Sequence, residues 1–460
     1  MIVSVILAAG EGKRMKSSFS KVSTKILNKP MISYIFSAAK NSGSDKICIV
    51  AGENKAYLED LFKGEDVKFL HQEVGPGLPY GTAYAANLAS PFIDDCDQVL
   101  VLSGDIPLIR AETLSKFIEF HKNGGFDTSL ITAEKENPFG YGRIVKDENN
   151  VLKKIVEQRD ASPEELQIRE FNPGIYIFRG DLFKKHLKEI GTDNDQNEYY
   201  ITDMIEILSS NGKKIGVYKT CDNIQVEGVN SKDQLFHLET ELRKRVNVDF
   251  MKEGVLLRGE DIFIEPGVKI GRDTEIFSGA RILGNTSIGE RCLITGDSYI
   301  KDSIIEDDVV IKSSYIEQSR VEKGSDMGPF AHLRPNSHLK EKVHLGNFVE
   351  VKNSTIGKGT KAGHLAYVGD ADLGEDINIG CGAIFVNYDG KNKHRAVVED
   401  GSFIGSNANI VAPLKLAKNS FIAAGSTVTT DVEDGDLFIN RAESRHIKKW
   451  VYRKNLKEEK

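Results

Sequence analysis

Apolar runs and helical stretches alternate over residues 1–230. Strand-like runs fall at 2–7, 46–50, 98–102 and 128–132, and helical ones at 31–40 and 111–121. Alternation of this kind predicts an α/β domain with a mostly parallel sheet. A polar segment at 231–250, rich in Lys, Arg, Glu and Leu, reads as a connecting helix. After Gly254 the period changes. Ile270, Ile276, Ile282, Ile288, Ile294 and Ile300 recur every six residues, as do Ile404, Ile410, Leu416, Ile422 and Val428. No α-helix explains a period of six. A triangular parallel β-helix does: each hexad makes one flat face, its aliphatic residue points inward, and Gly or a small residue turns the corner. Gly follows the aliphatic position at Gly271, Gly289, Gly346, Gly357, Gly374, Gly380 and Gly405. Three hexads give a coil of about 18 residues, and about ten coils stacked at roughly 4.8 Å fill 254–435. The register breaks near 386–403, and a loop thrown out of a solenoid face is a place for binding residues. The predicted organisation is an α/β domain at 1–230, a linker helix at 231–253, and an all-β solenoid at 254–460. Its tail carries eight Lys/Arg against three Glu over 441–460.

No run reaches the roughly 20 apolar residues of a membrane span. The opening MIVSVILAAG has no positive segment ahead of it and a glycine-basic stretch directly after. It reads as a strand feeding a loop, not as a signal peptide. The 68 acidic residues exceed the 61 basic ones, and the formal charge of −7 argues against attachment to nucleic acid by bulk charge. Cys48, Cys96, Cys221, Cys292 and Cys381 lie far apart with no CxxC. Neither a disulfide framework nor a zinc site is expected, and the chain reads as cytosolic and reduced.

The segment LAAGEGKRM at 7–15 follows a strand. Its paired glycines let backbone N–H groups approach a phosphate, and Lys13 or Arg14 adds charge. The spacing is neither the Walker pattern nor GxGxxG, so a plain strand–turn–helix junction with surface cations stands beside phosphate binding. The strand at 98–102 leads into Ser103-Gly104-Asp105, placing a carboxylate at the edge where open α/β sheets bind ligands. Asp105 suits Mg²⁺ there, or caps the next segment.

LAAGEGKRM, the following Lys21, GTAYA at 81–85, GDIPL at 104–108, GYGR at 140–143 and EGVN at 227–230 together resemble the sugar-1-phosphate nucleotidylyltransferases. The hexads resemble the left-handed β-helix family. Joined in this order over nearly the whole chain, they are similar to the bifunctional N-acetylglucosamine-1-phosphate uridylyltransferase/glucosamine-1-phosphate N-acetyltransferases. The resemblance implies a Rossmann-like nucleotidyltransferase domain, then a left-handed β-helix. It implies a cytoplasmic homotrimer with small-molecule substrates and no nucleic-acid or membrane partner. Acetyl-CoA would acetylate glucosamine-1-phosphate; UTP would then uridylylate N-acetylglucosamine-1-phosphate with Mg²⁺, supplying peptidoglycan and lipopolysaccharide precursors. By the same resemblance Leu7, Ala8, Ala9 and Gly10 hold the nucleotide, and Arg14 and Lys21 neutralise phosphates. Asp105 and Asn230 hold Mg²⁺, Gln72, Gly81 and Thr82 face the uracil, and Gly142, Glu157 and Asn172 hold the sugar. Eight residues separate Gln72 from Gly81, more than in the family, which leaves base choice open. Ser20 replaces a common Pro, and Ser103 a common aromatic.

Acetyl transfer to an amino sugar needs a base, donors for an oxyanion and cations for phosphate. The resemblance makes His364 the base and Glu350 the residue that fixes its tautomer. Arg334, Lys352, Tyr367 and Asn378 bind the sugar phosphate, with Asn387 and Tyr388 at the amino sugar beside the acetyl donor. Ser406, Ala424, Arg441 and Cys381 line the acetyl-CoA, Cys381 standing where the family has Ala, as a steric variant and not a nucleophile. His332, His338 and His344 are spaced like a metal row. Positions six apart lie on successive faces, so no shared metal is expected. The alternative is a monofunctional nucleotidylyltransferase whose β-helix only oligomerises.

Overall fold

In the computed structural model the apolar opening forms strand β1 (Ile2–Ala8), and alternate residues of it feed two cores. Ile2 and Ile6 pack with Ile35 and Phe36 of α1 (Met31–Asn41) and with Leu114 and Phe117 of α2 (Ala111–Gly124). Val3 and Val5 face the other way, toward Phe178, Phe183 and Met204. A strand covered on both faces has no side to give to water, which is why it reads as a nearly unbroken apolar run. The structure describes all residues other than 11, 13, 14, 17–19, 76, 455 and 458–460. It divides into two units, Met1–Leu242 and Arg243–Lys460. Among the described residues no helix is long and apolar enough to cross a membrane.

The first unit is built on a ten-stranded sheet. On one side β1 pairs with β2 (Lys46–Ala51), which pairs with β3 (Lys68–His71); on the other it pairs with β4 (Gln98–Ser103). All three pairings are parallel. Then come β5 (Thr128–Glu134), β6 (Gly142–Lys146), β7 (Leu152–Val156), β8 (Glu170–Asn172), β9 (Tyr176–Arg179) and β10 (Ile215–Lys219). Strands β8 and β9 both run antiparallel to β5, but the link at 172–175 changes their second neighbour from β6 to β4. The parallel half expected from the sequence is thus continued by an antiparallel half. The six elements placed from the sequence recur, each running one to three residues further at its C-terminal end. At the carboxyl edge, the Gly104 N–H donates to Leu7 O at 2.9 Å. A Cβ on Gly104 would stand 2.6 Å from that oxygen, so glycine lets the ends of β1 and β4 meet.

Helix α3 (Lys232–Lys252) contains the division between the units. Leu238 is buried with Met15, Ile26 and Met31 in the first unit, and Val246 and Phe250 pack on the core of the second.

The second unit is a left-handed parallel β-helix. Strands beginning at Glu275, Arg281 and Ser287 lie on three successive faces and pair with Leu293, Tyr299 and Ile304 one coil on. Ile276, Ile282, Ile294, Ile300, Ile404, Ile410, Leu416, Ile422 and Val428 are fully buried, Ile288 nearly so, and Ile270 half-buried. Each such side chain contributes on the order of 1.5–3 kcal/mol. The coil is not a fixed 18 residues. Tyr299 pairs with Tyr315, Glu350 with Tyr367 and Phe403 with Phe421, which are steps of 16, 17 and 18. Asn378 pairs with Phe403, a step of 25, because the chain leaves the solenoid after Val386 and rejoins it on the next face at Ala396. The break therefore ends earlier than the sequence suggested.

The hexad glycines also work differently from the expectation. They are not the corner residues. The left-handed corners are held by other glycines, Gly359, Gly382, Gly401 and Gly425 among them, and by Asp297, Asp308, Asn336, Asn353, Asp370 and Asn407, residue types that tolerate positive φ. Gly271 is needed for a close approach instead: a Cβ there would lie 2.6 Å from Gly289 C on the next coil. Buried hydroxyls, which the pattern did not flag, tie coil to coil. Ser354 Oγ donates to Lys352 O at 2.8 Å and accepts the Ala371 N–H at 2.9 Å. His332, His338 and His344 lie on three successive faces; His338 meets Glu322 at 2.7 Å and His344 meets Asp326 at 2.8 Å.

Candidate active sites

In the first unit two adjoining cavities of about 200 and 190 Å³ open at the carboxyl edge of the sheet and share Leu7, Thr82, Ser103 and Asp105. Lys21 Nζ donates to Asp105 Oδ2 at 2.5 Å and to Asn230 Oδ1 at 3.0 Å. Ser103 Oγ donates to Asp105 Oδ1 at 2.6 Å. Burial alone would raise the Asp105 carboxyl; the Lys21 ammonium and the Ser103 hydroxyl outweigh it and hold the group below the usual carboxylate range. Ser103, which the sequence offered only as a departure, thus orients the carboxylate. Ser20 also has a role: its φ of −56° is the angle a Pro would impose, and its hydroxyl accepts from Asn54 Nδ2 at 2.9 Å. Arg14 lies outside the described residues.

Leu7, Ala9, Gly10, Lys21, Gln72, Gly81 and Thr82 line the smaller cavity. Ala8 is buried as the last residue of β1. The long spacer after Gln72 returns the chain so that Gln72 and Gly81 face one space. Gln72 is 3% exposed, and its Nε2 is a buried donor with no hydrogen-bond partner among the described residues. Gly81 has φ +129°, and a Cβ there would sit 2.5 Å from Tyr199 N, so no other residue fits. Thr82 Oγ1 accepts the Ile201 N–H at 2.9 Å.

The larger cavity holds Gly142, Glu157, Asn172 and Asn230. Thr202 Oγ1 donates to Glu157 Oε1 at 3.2 Å. Burial pushes the Glu157 carboxyl up to about 7, with Asp203, Asp160 and Glu198 adding repulsion against the Thr202 hydrogen bond. Asn172 Nδ2 donates to Tyr176 Oη at 2.7 Å, and its Oδ1 accepts the Gly174 N–H at 3.2 Å. The change of strand partner at 172–175 is what turns Asn172 into the cavity.

In the second unit successive coils stack one corner into a column. Asn347 pairs in register with His364. Gly382 N–H donates to Leu365 O, Asn407 N–H to Cys381 O and Gly425 N–H to Ser406 O, at 2.6, 2.8 and 2.8 Å. His364, Cys381, Ser406 and Ala424 therefore follow one another along a single edge, all exposed. At the neighbouring corner Arg334, Lys352 and Lys393 gather. Lys393 beside it, then burial and Arg334, hold the Lys352 ammonium below the lysine range. Lys393 comes from the extruded loop, where Asp389 accepts the Asn392 and Lys391 N–H groups and a hydrogen bond with His394, lowering its carboxyl to about 2. Tyr388 is exposed and donates to Gly390 O at 2.7 Å; Asn387 is 8% exposed. Asn378 is exposed on an earlier face of the same coil, and Arg441 is exposed in the tail with no secondary structure.

The nucleotidyl transferase family model matches residues 3–223, and a model for the hexapeptide repeat of succinyl-transferase matches 395–430. A bifunctional protein GlmU of Caldicellulosiruptor saccharolyticus is 48% identical over 453 residues, covering 98% of this chain and 97% of the relative. The bifunctional GlmU proteins of Clostridium novyi and Clostridioides difficile are 43% and 41% identical over 98% and 99% of this chain, and over 99% and 98% of their own lengths. This chain belongs to the bifunctional GlmU family. It is a two-activity transferase, a uridylyltransferase and an acetyltransferase, and the reading of the β-helix as a mere oligomerising scaffold is set aside.

Against that identity one expected contact changes. Glu350 was expected on His364; in this chain Asn347 Oδ1 meets His364 Nδ1 at 2.8 Å, and Glu350 pairs with Arg334 Nη1 at 3.0 Å. The reason is register: Asn347 lies directly beside His364, whereas Glu350 lies beside Tyr367, past the corner at Phe348. Asn347 and Lys393 were missed in the sequence. The 17-residue step from Asn347 to His364 was the signal for the first; the second sits in an irregular loop that leaves none.

Proposed function

We propose that residues 1–230 transfer a uridylyl group from UTP to N-acetylglucosamine-1-phosphate, and that 254–460 make that substrate from glucosamine-1-phosphate and acetyl-CoA. The observation that carries the first half is the convergence of Lys21, Asp105 and Asn230 at the carboxyl edge of the sheet. Two hard oxygens, Asp105 Oδ2 and Asn230 Oδ1, point at one cation, the Lys21 ammonium, and that donor set fits Mg²⁺. Asp105 and Asn230 would hold the ion, which supplies charge neutralisation at the phosphates. The sugar phosphate oxygen attacks the α-phosphorus and pyrophosphate leaves, so the protein's task is positioning and charge balance. Lys21 balances phosphate charge. The buried Gln72 Nε2 donates to a base carbonyl, which uracil offers and adenine lacks. Glu157 and Asn172 receive the sugar.

For acetyl transfer, Asn347 Oδ1 can only accept, so His364 Nδ1 carries the proton and Nε2 presents its lone pair. That tautomer is the one a general base needs. His364 takes the proton from the substrate ammonium, the amine attacks the thioester carbon, and the CoA thiol leaves. Arg334, Lys352 and Lys393, three clustered cations, take the sugar phosphate. Cys381, Ser406 and Ala424 line the donor along the corner column, with Arg441 reaching it from the tail. Beside His364 the stacked rings of Phe330 and Phe348, 5.6 Å apart, and Leu365 are exposed, an apolar edge suited to a second copy in a homotrimer. Five unpaired cysteines accord with the cytoplasm, where the product would feed peptidoglycan and lipopolysaccharide synthesis.

The test is a paired assay with Mg²⁺: free thiol from glucosamine-1-phosphate and acetyl-CoA, and pyrophosphate from N-acetylglucosamine-1-phosphate with each NTP. Thiol release with UTP-selective pyrophosphate is expected. Pyrophosphate from every NTP alike would refute the role given to Gln72.

A further inference from the structure

We propose that Asp370 is the positioning residue of the acetyl-transfer site: it holds the Asn387 carboxamide nitrogen-inward, so that Oδ1 is presented to the amino group of the substrate. The inference rests on reading Asn387 as a residue of that site. Asp370 is 7% exposed and sits at a left-handed corner, φ +51°, beneath the extruded loop. Its Oδ1 accepts from Asn353 Nδ2 at 2.5 Å and its Oδ2 from Asn387 Nδ2 at 2.5 Å. Three successive coils therefore meet on one buried carboxylate. The second Asn387 amide hydrogen points at Tyr367 Oη, 3.4 Å away.

Both hydrogens of the Asn387 nitrogen are thus spent inward. Among the described residues no donor reaches Asn387 Oδ1, and that atom is not sealed from solvent. A carboxamide with this orientation offers an acceptor, which an ammonium or amine N–H satisfies; the flipped amide would present N–H to N–H. Asp370 also fixes both roots of the loop: its carboxylate holds Asn387, and its carbonyl accepts the Ala396 N–H at 3.1 Å where the chain rejoins the solenoid. Its own N–H donates to Lys352 O on the preceding coil at 3.0 Å. Arg395 closes the other wall by donating to Asn353 O at 3.0 Å and pairing with Asp372. Asp370 touches none of the reacting atoms and acts through Asn387.

The experiment uses the full chain and the two assays above, with D370N, N387A, D370N/N387A and the swap D370N/N387D. A single amide at position 370 has one acceptor for two donors, so D370N forces one neighbour to flip. Acetyl transfer is expected to fall roughly ten- to a hundredfold in kcat, the scale of a small misplacement at a reacting centre. KM for acetyl-CoA and uridylyl transfer should hold. Because Asp370 acts through Asn387, D370N/N387A should be no slower than N387A. The swap restores the hydrogen bonds with the two at position 387 reversed: Asn353 donates to the new amide oxygen, while the new amide and Tyr367 Oη donate to the carboxylate at position 387. It should recover at least tenfold over D370N, which lost folding alone would not allow. D370N at the wild-type rate, a swap no better than D370N, or multiplying losses in D370N/N387A would overturn the role of Asp370. N387A at the wild-type rate would instead overturn the reading of Asn387 itself.

Discussion

The two sites are assembled by opposite means. In the α/β unit, Lys21, Asp105 and Asn230 meet within hydrogen-bonding distance from positions far apart in the chain. In the β-helix, Asn347, His364, Cys381, Ser406 and Ala424 follow the coil and stack along one corner. A solenoid turns sequence period into spatial adjacency, because each coil touches only its neighbours. A parallel sheet turns strand order into adjacency, and strand order is a matter of crossovers that no local period records. The solenoid site is edited by changing a repeat, the sheet-edge site by changing how loops return to an edge.

The sharpest way to break this contrast is to disable each site and ask whether the other notices. His364→Ala should lower acetyl transfer by roughly 10²–10⁴-fold, the range of a lost general base, and leave pyrophosphate release unchanged. Asp105→Asn should do the reverse, with a loss on the order of 10²–10³ in uridylyl transfer. If either variant, folded as judged by circular dichroism, loses both activities, the two-site picture fails.

Gln72→Ala probes the α/β pocket more finely. Removing a buried donor aimed at the base should raise KM for UTP about tenfold and narrow the preference over the other NTPs, with acetyl transfer as the internal control. Initial rates across the four nucleotides decide it.

The smallest effect lies in stability. Folding raises the Glu157 carboxyl from 4.5 to about 7, so the folded chain binds that proton more tightly than the unfolded one. The resulting stabilisation is complete below pH about 4.5 and is lost as pH rises through 7. Glu157→Gln should remove that slope, an effect on the order of 1–3 kcal/mol between pH 5 and 8. The thermal transition of the α/β unit should flatten with pH in the variant, while that of the β-helix keeps its own profile. An unchanged slope would show that the cavity leaves this carboxylate hydrated.

Some of this was legible in the residues and some was not. The Val/Ile run of β1 and the alternation around it marked an α/β domain with a mostly parallel sheet, and the strands placed from it lie within a few residues of the observed ones. The position of Asn172 was not visible in the same way. It depends on β8 and β9 sharing β5 while changing their other partner, and only the assembled sheet contains that switch. The eight-residue spacer after Gln72 looked like a threat to base recognition; the fold absorbs it by letting the chain loop out before Gly81 locks against Tyr199.

By itself the sequence determined the period of the β-helix, the inward aliphatic stack and the paired glycines after β1. These are local properties, set by side-chain size, backbone freedom and charge. Tertiary structure decided that Asn347 and not Glu350 meets His364, that the glycines after the aliphatic positions let coils touch while Asp, Asn and other glycines turn the corners, and that Ser103 and Lys21 share Asp105. Each of these depends on which residue of the next coil or strand arrives alongside. A one-residue change in coil length shifts that register without altering the hydrophobic pattern.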